Sequence, residues 1–127
     1  MTEGGRFRRA LRRLTADDDE LEAADLQEGV ERHGACPIAD APERMPVRLH
    51  GTLQSVTLRP RGGVPALEAE LYDGTATAYV VWLGRRRIEG IKAGSAMVVE
   101  GRLGAPTQGR RTIYNPAYTL LPQRGSD

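Results

Sequence analysis

The sequence is poor in cysteine and aromatic residues, and it contains no long apolar segment. Its one cysteine, Cys36, has no partner for an internal disulfide, which argues against a disulfide-stabilised extracellular scaffold. No apolar run approaches the roughly 20 residues that a membrane-spanning helix needs. Residues 1–13 carry arginines but no apolar stretch, so they lack the pattern of a secretory signal. We therefore expect a cytoplasmic protein with no membrane partner.

Residues for catalysis or metal binding are also scarce. The only histidines are His33 and His50, and no serine stands in a recognisable set with a histidine and an acid. His33 and Cys36 would supply two of the roughly four ligands that a zinc site needs. The segment Arg61-Gly62-Gly63 lacks the lysine and the following helix of a phosphate-binding loop. We expect no enzymatic activity, no metal and no cofactor.

The 127 residues fit one domain with an extension, and 15 glycines with eight prolines favour a β-rich fold. Residues 1–45 contain seven arginines against eleven acidic residues, whereas residues 46–127 carry a net charge of +5 that is mostly arginine. We divide the chain into an N-terminal segment of basic and then acidic helix with a linker (1–45), a folded domain (46–122) and a disordered tail (123–127). Because arginine presents a planar set of donors to phosphates, the basic domain favours a nucleic-acid partner.

Two short helices are predicted in the N-terminal segment. Apolar residues at helical spacing predict a basic amphipathic helix over Phe7–Leu14, which contacts phosphates or a partner, packs on the domain, or frays. Thr15 is a candidate N-cap of a second, acidic helix, which Gly29, Gly34 and Pro37 would end. The acidic helix would either shield the basic domain or remain a solvated lead-in.

Five strands are predicted in the domain from period-two alternation and turn residues. A turn over residues 59–63 follows the first strand, and Asp73-Gly74 is a hairpin signal between the second and third. Residues 84–94 predict a short helix at the end of the barrel. Pro116 is expected to break the last strand, residues 111–121. The predicted strands cover residues 47–59, 67–72, 75–83, 96–103 and 111–121.

Five strands with a helix between the third and fourth are the element order of the OB fold. The domain also resembles the OB family of tRNA anticodon-binding and helicase proteins, in its small stand-alone bacterial form. Its last strand is similar to the closing segment of RecG-type wedge domains, with Asn115 in place of His and Ala117 in place of Glu. Further matching features are Gly51, Asp73-Gly74-Thr75, Trp82, Lys92–Ser95 and Glu100-Gly101. The resemblance implies a mainly β, five-stranded Greek-key barrel, and the Ala/Arg/Gly-rich composition suggests a high-GC bacterial origin.

The resemblance implies binding of single-stranded or branched nucleic acid, DNA more than RNA, across the second and third strands. The loops that join strands one to two and four to five would flank this groove. Binding requires cations for the backbone and flat aromatic rings for the bases. The candidate residues are Arg48, Arg59, Arg61, Tyr72, Tyr79, Arg85, Arg86, Arg110 and Arg111.

Two acidic residues argue against this groove. Glu68 and Glu70 should lie on its surface, where like charge repels phosphates, so either the groove is narrower than usual or these acids pair with Arg48 or His50 on the neighbouring strand. Trp82 is expected in the core, while Tyr79 is expected to face outward. The alternative function is a protein-interaction or regulatory module, acting as a homo-oligomer or with a partner protein.

Overall fold

The computed structural model describes the backbone of residues 3–122 and the side chains of residues 18–122. A long helix, α1 (Glu3–Arg32), and a 3-10 turn (Ile38–Asp40) precede six strands. The strands are β1 (Pro46–Leu58), β2 (Ala66–Tyr72), β3 (Thr77–Leu83), β4 (Ala96–Arg102), β5 (Thr112–Tyr114) and β6 (Ala117–Leu120). The described fold is therefore mainly β, as expected.

The strands form one mixed sheet in the order β5-β3-β2-β1-β4-β6. The pairs are antiparallel except for β5, which runs parallel to β3. Strands β5 and β6 are neighbours in sequence but pair with opposite edges of the sheet. An isolated bridge between Leu103 and Ile113 also joins β5 to the end of β4. These contacts bring the two edges towards each other and make the sheet barrel-like.

The last strand is broken more completely than the sequence suggested, which raises the strand count from five to six. Asn115 has a positive φ of 50°, and Pro116 has no backbone N–H to donate. The side chain of Asn115 accepts a hydrogen bond from the Leu83 backbone at 2.8 Å. Trp82 Nε1 donates to the Pro116 carbonyl at 3.3 Å. The break is thus fixed against the end of β3.

Side chains on β2 and β3 alternate between the core and the outer surface. Leu67, Leu71 and Val80 lie in the core, and Trp82, which is 5% exposed, packs with them. This confirms the expected core position of Trp82. Residues of the opposite parity, including Glu68 and Tyr79, lie on the outer face.

The short helix expected between the third and fourth strands does not form. Residues 84–94 make turns, although Ile88 and Ile91 are buried as a capping helix would have required. Gly84, Gly90 and Gly94 all have a positive φ, which a right-handed helix does not allow. The apolar spacing therefore marked the buried residues correctly but not the local conformation.

The two helices expected in the N-terminal segment are one. Thr15 lies inside α1 and is not an N-cap, and Gly29 does not end the helix. The helix ends after Arg32, where Gly34 adopts a φ of 64° and Ala35 donates to the Val30 carbonyl. The side chains of the basic stretch Phe7–Leu14 lie outside the described residues.

The linker that follows α1 is packed on the barrel. Ile38 is completely buried, and its backbone N–H donates to the carboxylate of Asp73 at 2.7 Å. The other oxygen of Asp73 accepts hydrogen bonds from Thr75 and Ala76, so this fully buried carboxylate has several donors. The loop Asp73–Ala76 thereby fixes the linker as well as the β2–β3 connection.

Helix α1 meets the sheet through a close contact at Gly29. A Cβ atom on Gly29 would lie 2.3 Å from Cε1 of His50, which projects from the outer face of β1. His50 is 6% exposed and stacks on His33, with ring centroids 4.9 Å apart. Burial, followed by the neighbouring His33 and Arg32, lowers the pKa of His50 and favours its neutral form.

This contact reverses the usual effect of replacing a helical glycine. Gly29→Ala should gain about 1 kcal/mol of helix propensity but lose more through overlap with His50, which costs about 1–3 kcal/mol. We expect a lower free energy of unfolding in urea. In a His50→Ala background the same substitution should instead stabilise the protein by up to about 1 kcal/mol. Stabilisation by Gly29→Ala in the parent protein would contradict this packing.

Candidate nucleic-acid interface

Two arginine-bearing loops end in tight turns of the same kind. In the first loop (residues 59–65), Arg61 and Val64 exchange backbone hydrogen bonds of 2.8 and 3.0 Å across Gly62-Gly63. In the second loop (residues 104–111), Thr107 and Arg110 do the same at 2.9 and 3.0 Å across Gln108-Gly109. Both central residues of each turn have a positive φ, as in the type I′ turns that two-residue hairpins favour. The glycines therefore allow a defined two-residue turn in the first loop.

The two loops meet over Glu68 on the outer face of β2. Arg61 Nη2 lies 3.0 Å from one carboxylate oxygen of Glu68, and Arg110 Nη1 lies 3.8 Å from the other. The Glu68 side chain is 10% exposed, whereas those of Arg61 and Arg110 are 39% and 50% exposed. The hydrogen bond to Glu68 raises the pKa of Arg61, so its positive charge is secure. Two cations share one carboxylate, which leaves a net positive charge at the surface.

Two tyrosines lie beneath or beside these arginines. The guanidinium of Arg110 stands over the ring of Tyr79, 4.7 Å from its centroid. Arg61 lies 5.7 Å from the centroid of the Tyr114 ring, and its Nη1 donates to the Tyr114 hydroxyl at 3.2 Å. Tyr114 is 50% exposed. We call the set formed by Arg61, Glu68, Tyr79, Arg110 and Tyr114 the basic-loop face.

Two of the candidate arginines have structural partners elsewhere. Arg111 donates to the backbone carbonyls of Ile38 and Ala41, so it holds the linker against the barrel. Arg48 forms an ion pair of 2.8 Å with Glu100 on β4 and donates to the His33 carbonyl. Neither lies in the basic-loop face.

The remaining candidates differ in their distance from the basic-loop face. Arg59 is exposed at the start of the first loop. Arg85 and Arg86 are exposed just after Gly84, whose backbone donates to Pro65 at the end of that loop. Tyr72 lies four residues beyond Glu68 on β2, about 13 Å along the strand, next to the opposite turn.

Sequence reasoning missed Tyr114 and assigned the wrong partners to the acidic residues. Glu68 pairs with the loop arginines instead of Arg48 or His50, and Glu70 accepts a hydrogen bond from Ser55 at 3.0 Å. Tyr114 reaches the site because β5 pairs in parallel with β3, a long-range pairing with no local sequence signal. The basic character of both loops was the one sequence feature that pointed to them as partners of Glu68.

The chain is similar to a structure of RecG bound to a three-way DNA junction, with a TM-score of 0.54 and 19% sequence identity. The match covers 71% of this chain and 13% of the RecG chain. It shows a shared fold and supports the OB-like barrel expected from the strand pattern. No family model and no curated protein matches the chain.

Two further features are absent from the described residues. In that part of the chain, no group of three or more His, Cys, Asp or Glu side chains is arranged to hold a metal ion. None of the helices there is long and apolar enough to cross a membrane.

The neighbouring arginines of the second loop should behave differently on substitution. Arg111→Gln removes charged hydrogen bonds to the linker and should lower the free energy of unfolding by about 1.5–3 kcal/mol. Arg110→Gln removes a partly exposed ion pair with Glu68 and should lower the free energy of unfolding by less than about 1 kcal/mol. Urea unfolding of the two variants tests this difference. Equal losses would contradict the assignment of Arg111 to the linker and Arg110 to the surface.

Proposed function

We propose that this chain is a non-catalytic module that binds single-stranded or branched nucleic acid across its basic-loop face. The observation that carries the proposal is the convergence of Arg61 and Arg110. They lie 49 positions apart in the sequence, yet they meet over one carboxylate beside two tyrosines.

This combination suits the chemistry of a flexible polyanion. Arginine binds a phosphate through a planar set of donors, and exposed aromatic rings stack on bases without strict sequence preference. Arg59 extends the positive surface at one end of the first loop, and Arg85 and Arg86 extend it beside Pro65. The similarity to a DNA-bound RecG structure is consistent with such a role for the fold. A single strand, whose bases are accessible, fits the exposed tyrosine better than an intact duplex does.

A protein-interaction role is the second candidate, and exposed apolar side chains favour it. Leu58, Val64 and Leu83 are between 41% and 48% exposed, and all lie towards the end of the sheet that carries the first loop. Such residues are common at protein interfaces. This reading requires a partner protein or a second copy of the chain and does not require phosphate contacts.

Charge reversal separates the two candidates. Binding is measured by fluorescence anisotropy with labelled single-stranded, forked and duplex DNA and with single-stranded RNA. The logarithm of the association constant should fall linearly with the logarithm of the salt concentration. Arg61→Glu with Arg110→Glu should weaken single-strand binding by roughly tenfold or more and reduce the salt slope by about 0.7 for each lost phosphate contact.

The matched control reverses two exposed arginines outside the basic-loop face. Arg87→Glu with Arg102→Glu changes the net charge by the same amount and should weaken binding by less than about threefold. Equal losses in both double variants would show that only net charge matters. No binding of the parent protein to any probe at low salt would reject the proposed function.

A further inference from the structure

Glu68 occupies an unusual place for an acidic residue on a nucleic-acid-binding face. It lies at the centre of the basic-loop face, between the two loops, and its side chain is 10% exposed. A carboxylate this well covered requires cations or donors to offset the loss of water. Arg61 and Arg110 supply them, one to each oxygen.

The arrangement has the chemistry of an arginine pair holding an oxyanion. A phosphodiester offers two charged oxygens to the same guanidinium groups, as a carboxylate does. Building on the function proposed above, we propose that Glu68 is an internal substitute for a backbone phosphate. It holds both arginines in the free protein, and they move to a phosphate when a strand binds.

The tyrosines make this exchange relevant to base stacking. While Arg110 is paired with Glu68, its guanidinium covers one side of the Tyr79 ring, and the guanidinium of Arg61 likewise lies against the Tyr114 ring. Movement of the arginines onto a phosphate uncovers the rings for bases. Glu68 therefore controls the cation contacts and the stacking surface together.

The two arginines are not held equally. Arg61 is within hydrogen-bond distance of Glu68 and also donates to the Tyr114 hydroxyl. Arg110 is farther from Glu68, at 3.8 Å, and more exposed. Arg110 is thus the arginine that leaves Glu68 first and meets the incoming strand.

Glu68→Gln tests this role because the amide keeps the shape of the side chain but removes its charge. We expect single-strand binding to strengthen by roughly two- to fivefold, the range of one partly exposed ion pair. The slope of the salt plot should steepen by up to about 0.7 for each arginine freed from internal neutralisation.

Glu70→Gln is the matched control. Glu70 lies on the same strand and the same face and gives the same change in net charge, but its described hydrogen bond is to Ser55. Its substitution removes one charge from the same face but frees no arginine, so any gain in affinity should be smaller than that of Glu68→Gln, and the slope should stay unchanged. Circular dichroism and urea unfolding of both variants establish that they are folded.

A second measurement uses the parent protein and does not depend on how well the variant folds. The Nε–H signals of Arg61 and Arg110 in NMR spectra should shift when a single-stranded oligonucleotide is added. Unchanged signals in the saturated complex would mean that the arginines stay on Glu68, which overturns the proposal.

The outcomes distinguish this inference from the proposed function. If the parent binds through Arg61 and Arg110 but Glu68→Gln binds no better than Glu70→Gln, or binds more weakly, only the role of Glu68 is overturned. If the parent protein binds no probe at low salt, the proposed function fails, and this inference, which rests on it, fails with it.

Discussion

The break at Asn115 and Pro116 is the constraint on which the rest of this fold depends. It allows one short segment to pair with β3 on one side and with β4 on the other, so that both sheet edges are used. The break is held by hydrogen bonds to Leu83 and Trp82 at the end of β3. Because β5 lies beside β3, Tyr114 and the second loop come to the outer face of β2 and β3.

The other parts of the chain hold this arrangement in place. Asp73 and Arg111 tie the linker to the barrel through its backbone, and Gly29 lets α1 approach His50. None of these contacts uses a side chain of the basic-loop face. The described part of helix α1 packs on β1 and near the Asp73–Ala76 loop. The acid that pairs with the two loop arginines is therefore Glu68 on the sheet and not a residue of the acidic helix.

The strands and the basic character of both loops were predictable from the sequence because they depend on local patterns. Alternation marks each strand, and turn residues mark the loops between them. The short helix over residues 84–94 was wrongly predicted because Ile88 and Ile91 have helical spacing while the glycines between the strands impose turns. Thr15 is equally compatible with a cap and with a helix interior, so the continuity of α1 could not be predicted from it.

The candidate site was predictable only in part, because some of its contacts depend on strand pairing between distant segments. The convergence of the two loops follows from the fold that the strand pattern suggested. The partners of Glu68 and the position of Tyr114 depend on a parallel pairing between segments about 30 residues apart, with register Val81 to Tyr114. Arg110 and Arg111 look alike in sequence, but alternate residues face opposite sides of the chain, and this places one on the surface and the other on the linker.

A backbone-amide NMR titration with a short single-stranded oligonucleotide tests the central claim most directly. The account predicts that the largest shifts fall in residues 59–65 and 104–111 and at Tyr79 and Tyr114. Largest shifts in α1 and along the paired outer surfaces of β1 and β4, with the two loops unchanged, would contradict it.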